Sequence, residues 1–129
     1  MGVIRKRLLF LPLLLSLLLV PTSASADFAT GLAAYERGDY KTAFEEFKRL
    51  AQQGYAGAQT NLGLMYAKGQ GVPEDYVQAH MWINIVASRS TAEKHKEYSK
   101  VRDLLAKVMT PSQIAEAQEL AREWKPKKE

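Results

Sequence analysis

Two stretches of the chain superimpose at fixed offsets. Tyr35 and Tyr66 lie 31 residues apart, as do Gly38 and Gly69, while Asp39 and Asp75, Tyr40 and Tyr76, Ala43 and Ala79, and Ala51 and Ala87 lie 36 apart. One unit therefore matches the next after a five-residue insertion in the loop between its halves, with Leu32 standing where Gly63 stands. Periods of this length belong to helix pairs stacked in series, because a lone pair cannot bury its apolar face.

The apolar spacing predicts what each half is. Phe28, Leu32 and Tyr35 recur at helical intervals, as do Tyr40, Ala43, Phe44, Phe47, Leu50 and Ala51. Ala58, Leu62, Met65 and Tyr66 mark a third stripe, and Tyr76, Ala79, Ile83, Val86 and Ala87 a fourth. Tyr98, Val101, Leu104, Leu105 and Val108, then Ile114, Ala117, Leu120, Ala121 and Trp124, mark two more. No useful length alternates with period two, so the prediction is all-α, about six helices in antiparallel pairs. Gly38-Asp39, Gly54, residues 69–73 and Ser90-Thr91 separate the helices. Asp39 is an expected N-cap, Thr91 only a partial one, and Thr110-Pro111-Ser112-Gln113 spells a capping box with proline at N1.

Residues 1–26 have the parts of a secretory signal. Arg5, Lys6 and Arg7 precede the apolar residues 8–20, nine of which are leucine, and Pro21 and Ala24-Ser25-Ala26 follow. Cleavage is expected before Asp27, leaving residues 27–129 in the periplasm or outside the cell. The other reading is an uncleaved anchor at the inner membrane, although the apolar run is shorter than a span needs.

This segment changes the meaning of the charge. The chain has 18 Lys and Arg against 14 Asp and Glu, a formal +4. Three of those bases lie in residues 1–26 with no acid, so the remainder carries 15 against 14. Acids also interleave with the bases around Lys94, Lys96, Lys100 and Arg102, so no nucleic-acid partner is expected. The basic tail allows weak contact with an anionic membrane surface. Absence of cysteine excludes disulfides, thiol nucleophiles and lipid attachment at a cleavage-site cysteine.

Residues 58–72, read Ala-Gln-Thr-Asn-Leu-Gly-Leu-Met-Tyr-Ala-Lys-Gly-Gln-Gly-Val, followed by Asp75, Ala79, Trp82 and Ala87, closely resemble the Sel-one-like repeat (SLR), a relative of the tetratricopeptide repeat. The signature residues are Leu62, Gly63, Tyr66, Gly69, Gly71, Val72, Asp75, Ala79, Trp82 and Ala87. Residues 27–54 resemble a degenerate, tetratricopeptide-like unit, 55–90 a full SLR unit, and 91–125 a C-terminal capping helical hairpin, with 126–129 a frayed tail. The resemblance implies a short right-handed α/α superhelix and a role in protein–protein interaction, in the small exported bacterial members of the family.

Other chemistry finds little footing. His80 and His95 are fifteen apart with no second ligand in register, so no metal site is expected; His80 reads as a surface or partly buried residue and His95 as part of a solvated face. Gly69-Gln70-Gly71 follows a helix and precedes Pro73, unlike a dinucleotide loop. Glu45-Glu46 and Glu74-Asp75 are adjacent and diverge by about 100° on a helix, so they do not form an acid–base pair; Glu45 is placed to meet Arg49. No catalytic residue and no cofactor is expected. By analogy with the tetratricopeptide relative, Ala33, Arg37, Thr60, Leu64 and Lys68 line a concave groove, with Leu64 either an exposed apolar anchor or packed on the fifth helix. The expected function is an exported module binding a protein or peptide in the cell envelope, with homo-oligomerisation through an open end as another use of the array. A cell-wall-directed hydrolase is the enzymatic alternative.

Overall fold

The computed structural model describes residues 23–128. The basic segment, the leucine-rich run and Pro21 of the expected signal lie outside the described residues. Among the described residues the chain forms six helices and no strand: α1 (Ala24–Glu36), α2 (Tyr40–Gln52), α3 (Ala56–Lys68), α4 (Tyr76–Arg89), α5 (Ala92–Ala106) and α6 (Pro111–Glu123). Each of the first four packs on the next, and α4 also carries α5 and α6, which make little contact with one another. The terminal pair thus straddles α4 more than it closes on itself.

Local chemistry sets the boundaries. Ser23 caps α1 by accepting from the Ala26 N–H at 3.3 Å, so Ala24-Ser25-Ala26 form its first turn. Asp39 and Asp75 cap α2 and α4 by accepting from the Thr42 and Gln78 N–H groups. At α6 both arms of the capping box close, Gln113 N–H to the Thr110 hydroxyl at 3.2 Å and Thr110 N–H to Gln113 Oε1 at 2.9 Å. The partial signal at Thr91 supplies no side-chain cap.

The core lies between α2, α3 and α4. Phe47, Leu50, Leu62, Met65 and Ile83 are fully enclosed, and α2 shows the cleanest division, with Ala43, Phe44, Phe47, Leu50 and Ala51 inward and Lys41 and Glu45 outward. Rings stitch the helices together: Phe28 tilts against Phe47 and Tyr55, and Tyr66 meets Phe44 edge-on at 5.3 Å. By contrast α5 buries no residue completely, and Leu104 and Val108 are each 61% exposed.

The two units match in a register one residue away from the expected one. The offset between α1 and α3 is 32 and that between α2 and α4 is 36, so the inserted loop is four residues longer, not five. Gly31, not Leu32, is the counterpart of Gly63. A Cβ on Gly31 would come within 2.7 Å of the Phe47 ring, and one on Gly63 within 3.1 Å of Ile83, itself 36 residues after Phe47. Both units therefore keep the glycine that lets their helices approach. The inserted loop is anchored at Gly71, whose φ of 72° is open to glycine and whose missing side chain leaves room for the Tyr40 carbonyl at the start of α2.

Two polar expectations also change. Arg49 reaches Glu46 at 2.9 Å and Asp27 of α1 at 3.1 Å, not Glu45, because it leans across the α1–α2 contact. The tail does not fray at Pro126. Lys127 N–H donates to the Gln52 carbonyl at 2.8 Å, satisfying an acceptor left open at the end of α2.

Candidate functional site

The signature residues build the frame that carries a site. Leu62, Gly63, Ala79, Trp82 and Ala87 are buried, and Val72 packs against the core. Tyr66 is half-buried, and desolvation, with Asp75 and Glu45 adding negative charge, raises its phenol above the usual range. Gly69 ends α3 with φ 65°. Asp75 is spent on capping α4.

The five groove residues fall on two helices. Ala33 on α1 and Arg37, the residue that caps its C-terminus, are one turn apart, as are Thr60, Leu64 and Lys68 along α3. Ala33, Arg37 and Lys68 are exposed; Thr60 and Leu64 are half-buried. Arg37 is paired with Asp39 at 3.5 Å. The Thr60 hydroxyl bonds to the Ala56 carbonyl at 3.0 Å and stands 3.4 Å from the Tyr98 hydroxyl of α5, so it joins α3 to α5 as much as it faces solvent.

The histidines do not meet. His80 is 2% exposed, with no partner for Nδ1. Desolvation and the Arg102 charge lower its pKa, against a smaller pull from Asp103. Its burial against α5, where Arg102 is fixed by Asn84 at 3.2 Å, corrects the surface reading. His95 is exposed, and its Nδ1 lies 2.8 Å from the Ala87 carbonyl, joining α5 to the end of α4. Among the described residues, no three His, Cys, Asp or Glu side chains group so as to hold a metal ion, and no helix is long and apolar enough to cross a membrane.

The concavity that sequence reasoning missed lies beside Thr60. A cleft of about 300 Å³ opens between α3, α4 and α5, with Gln59, Val86 and Tyr98 on its walls and Arg89 and Lys94 among its lining. Gln59 is 1% exposed and its amide donates to the Ala51 carbonyl at 3.1 Å, which ties that wall to α2. Arg89 lies 5.4 Å above the Trp124 ring, and Trp124 meets Trp82 edge-on at 5.9 Å. Gly54, also on the lining, has Trp124 and Pro126 beside it, so the docked tail backs the cleft. No local motif marks this site, because its residues come from three helices and the turns between them.

No protein-family model matches the chain. The crystal structure of a protective antigen present in uropathogenic Escherichia coli strains, which displays an SLR fold, superimposes with a TM-score of 0.69 and 29% identity over 80% of this chain and 22% of that one. Two curated proteins named DAP3-binding cell death enhancer 1, from Rattus norvegicus and Mus musculus, are each 41% identical over 49 residues. That match takes in 38% of this chain and 10% of either relative, so the chain spans a small part of the proteins it resembles.

Proposed function

Because the chain has the Sel-one-like repeat fold, an all-α array of helix pairs, we propose that it acts as a protein–protein interaction module that docks a peptide or protein segment without doing chemistry on it. The observation that carries this reading is the cleft between α3 and α5, open beside Thr60 and walled by residues of neighbouring repeat elements. Solenoids present such surfaces because each unit adds one more helix to a shared face. The name of the rodent relatives, which describes binding to another protein, points the same way.

The site of action belongs to the same reading. The basic, leucine-rich start of the chain and the Ala-Ser-Ala at 24–26 support export, with cleavage before Asp27. Such cleavage would remove the Ser23 cap and leave Asp27, paired with Arg49, at the new terminus. The partner then lies in the envelope or outside the cell.

In-cell crosslinking of the tagged full chain, with N-terminal sequencing of the recovered protein, tests both parts. A discrete crosslinked protein that is weakened in Tyr98→Ala, on the cleft wall, and a terminus at Asp27, are the expected results. No crosslinked protein in any fraction would overturn the interaction reading, and a retained residue 1 would overturn cleavage.

A further inference from the structure

We infer that the cleft between α3, α4 and α5 takes an acidic segment of a protein partner, seating a carboxylate on Arg89 and Lys94 and a neighbouring apolar side chain on Ala56 and Tyr98. This rests on the interaction-module reading and gives it a place and a chemistry.

The lining holds two cations and no carboxylate. Arg89 is positioned by the Trp124 ring, and no carboxylate of the described residues lies within ion-pair distance of it. A guanidinium held over a ring, with no carboxylate of its own, keeps N–H donors for a planar, two-oxygen acceptor. Lys94 has one partner, Glu97 at 3.5 Å, in a pair more than half exposed on both sides. Such a pair is weak and readily exchanged for a ligand carboxylate.

The backbone and the tail add the same sign. Neither Tyr55 nor Thr91 gives its helix a side-chain cap, so α3 and α5 both start near the cleft with first-turn N–H groups unclaimed by a capping side chain. The Lys127–Gln52 hydrogen bond keeps the tail, with Lys125, Lys127 and Lys128, at this end of the molecule.

Shape and polarity choose among anions. A cleft of about 300 Å³ admits one or two side chains, not a folded surface. A small inorganic anion would leave Ala56 and Tyr98, the accessible apolar part of the lining, uncovered, and a flat bilayer surface cannot enter a recess. An extended segment with Asp or Glu next to Leu or Phe meets both the cations and the apolar wall.

Fluorescence anisotropy of the full chain tests this with a labelled octapeptide of alternating Glu and Leu, its Gln–Leu counterpart, and its Glu–Ser counterpart. The Glu–Leu peptide is expected to bind best, and Arg89→Gln and Lys94→Gln are each expected to weaken it about tenfold, the loss of one charge-assisted contact. Lys41→Gln, on α2 and away from the cleft, is expected to leave binding unchanged. Lys94 is exposed, so Lys94→Gln decides the matter should Arg89→Gln unfold, which circular dichroism reports. Equal binding of the Gln–Leu peptide, or native affinity in both variants, overturns the assignment. So does Arg89- and Lys94-dependent binding to phosphatidylcholine–phosphatidylglycerol vesicles without peptide binding. If both variants still crosslink the cellular partner, this site is wrong and the module reading stands; if no partner crosslinks to any form, the module reading itself falls.

Discussion

The guanidinium of Arg89 stands over the indole of Trp124, 5.4 Å from the ring centre, joining the last turn of α4 to the residue that ends α6. Trp124 in turn meets Trp82 of α4 edge-on. The middle and the end of α4 are thereby tied to the far end of the chain, and the tail becomes part of the fold. Trp124→Ala removes both ring contacts and is expected to lower stability by about 2–3 kcal/mol, below the range for a fully buried tryptophan because this one is half-buried. Urea denaturation followed by circular dichroism measures it. A stop after residue 123 should exceed that loss, because it also removes the Lys127–Gln52 hydrogen bond.

The close approaches at Gly31 and Gly63 differ in tolerance. At Gly31 an added methyl comes within 2.7 Å of an enclosed aromatic ring, whereas at Gly63 it comes no nearer than 3.1 Å to Ile83 and 3.3 Å to the Ala79 carbonyl. Alanine favours the helix by about 1 kcal/mol at both sites, so Gly31→Ala should destabilise by about 2 kcal/mol net through its tighter overpacking and Gly63→Ala by less than half of that. Phe47→Leu should be less harmful in the Gly31→Ala background than alone. Simple additivity in that double-mutant cycle would contradict the contact.

Gly71 and Gly38 both have positive φ, but only Gly71 is crowded by backbone, that of Tyr40. Gly38→Ala is expected to cost about 1 kcal/mol for the conformation alone, and Gly71→Ala about 2–3 kcal/mol because the loop must also lift from α2. Thermal midpoints of the two variants, compared side by side, check the order.

His80 sets a pH dependence. Its folded pKa lies below the ordinary value of 6.5, through desolvation and Arg102, with Asp103 opposing. The unfolded chain therefore binds the proton first as pH falls. The stability this site contributes is whole above 6.5 and is lost as pH drops from there toward the folded pKa. The urea midpoint should fall across that window, and the fall should shrink in His80→Gln. Asp39, whose hydrogen bonds from Thr42 lower its pKa, acts only near and below 3.8, so the two windows are separate.

Much of the architecture was legible because it is written locally. Asp39 and Thr110 announce their caps within four residues, and the α2 stripe predicts its buried face residue by residue. The tyrosine spacing misleads about the repeat register because the two tyrosines do different jobs. Tyr66 faces Phe44, while Tyr35 stacks with Tyr40 and donates its hydroxyl proton to Gln70 at 3.0 Å. The shared identity of Tyr35 and Tyr66 hides the positional equivalence of Gly31 and Gly63. The docked tail and the cleft were invisible for another reason. A lysine-rich end reads as solvated until an open carbonyl at Gln52 is within reach, and Gln59, Arg89 and Lys94 converge only once α3, α4 and α5 are packed.

The shallow seating of α5 has a consequence of its own. A helix that encloses none of its residues, and leaves Leu104 and, in the turn after it, Val108 to water, is held chiefly by one neighbour, α4. Its amide protons should exchange ahead of those of α2 and α4. Lys94 and Tyr98 lie on this loosest element, so occupancy of the cleft and slow exchange along α5 are two readings of one equilibrium.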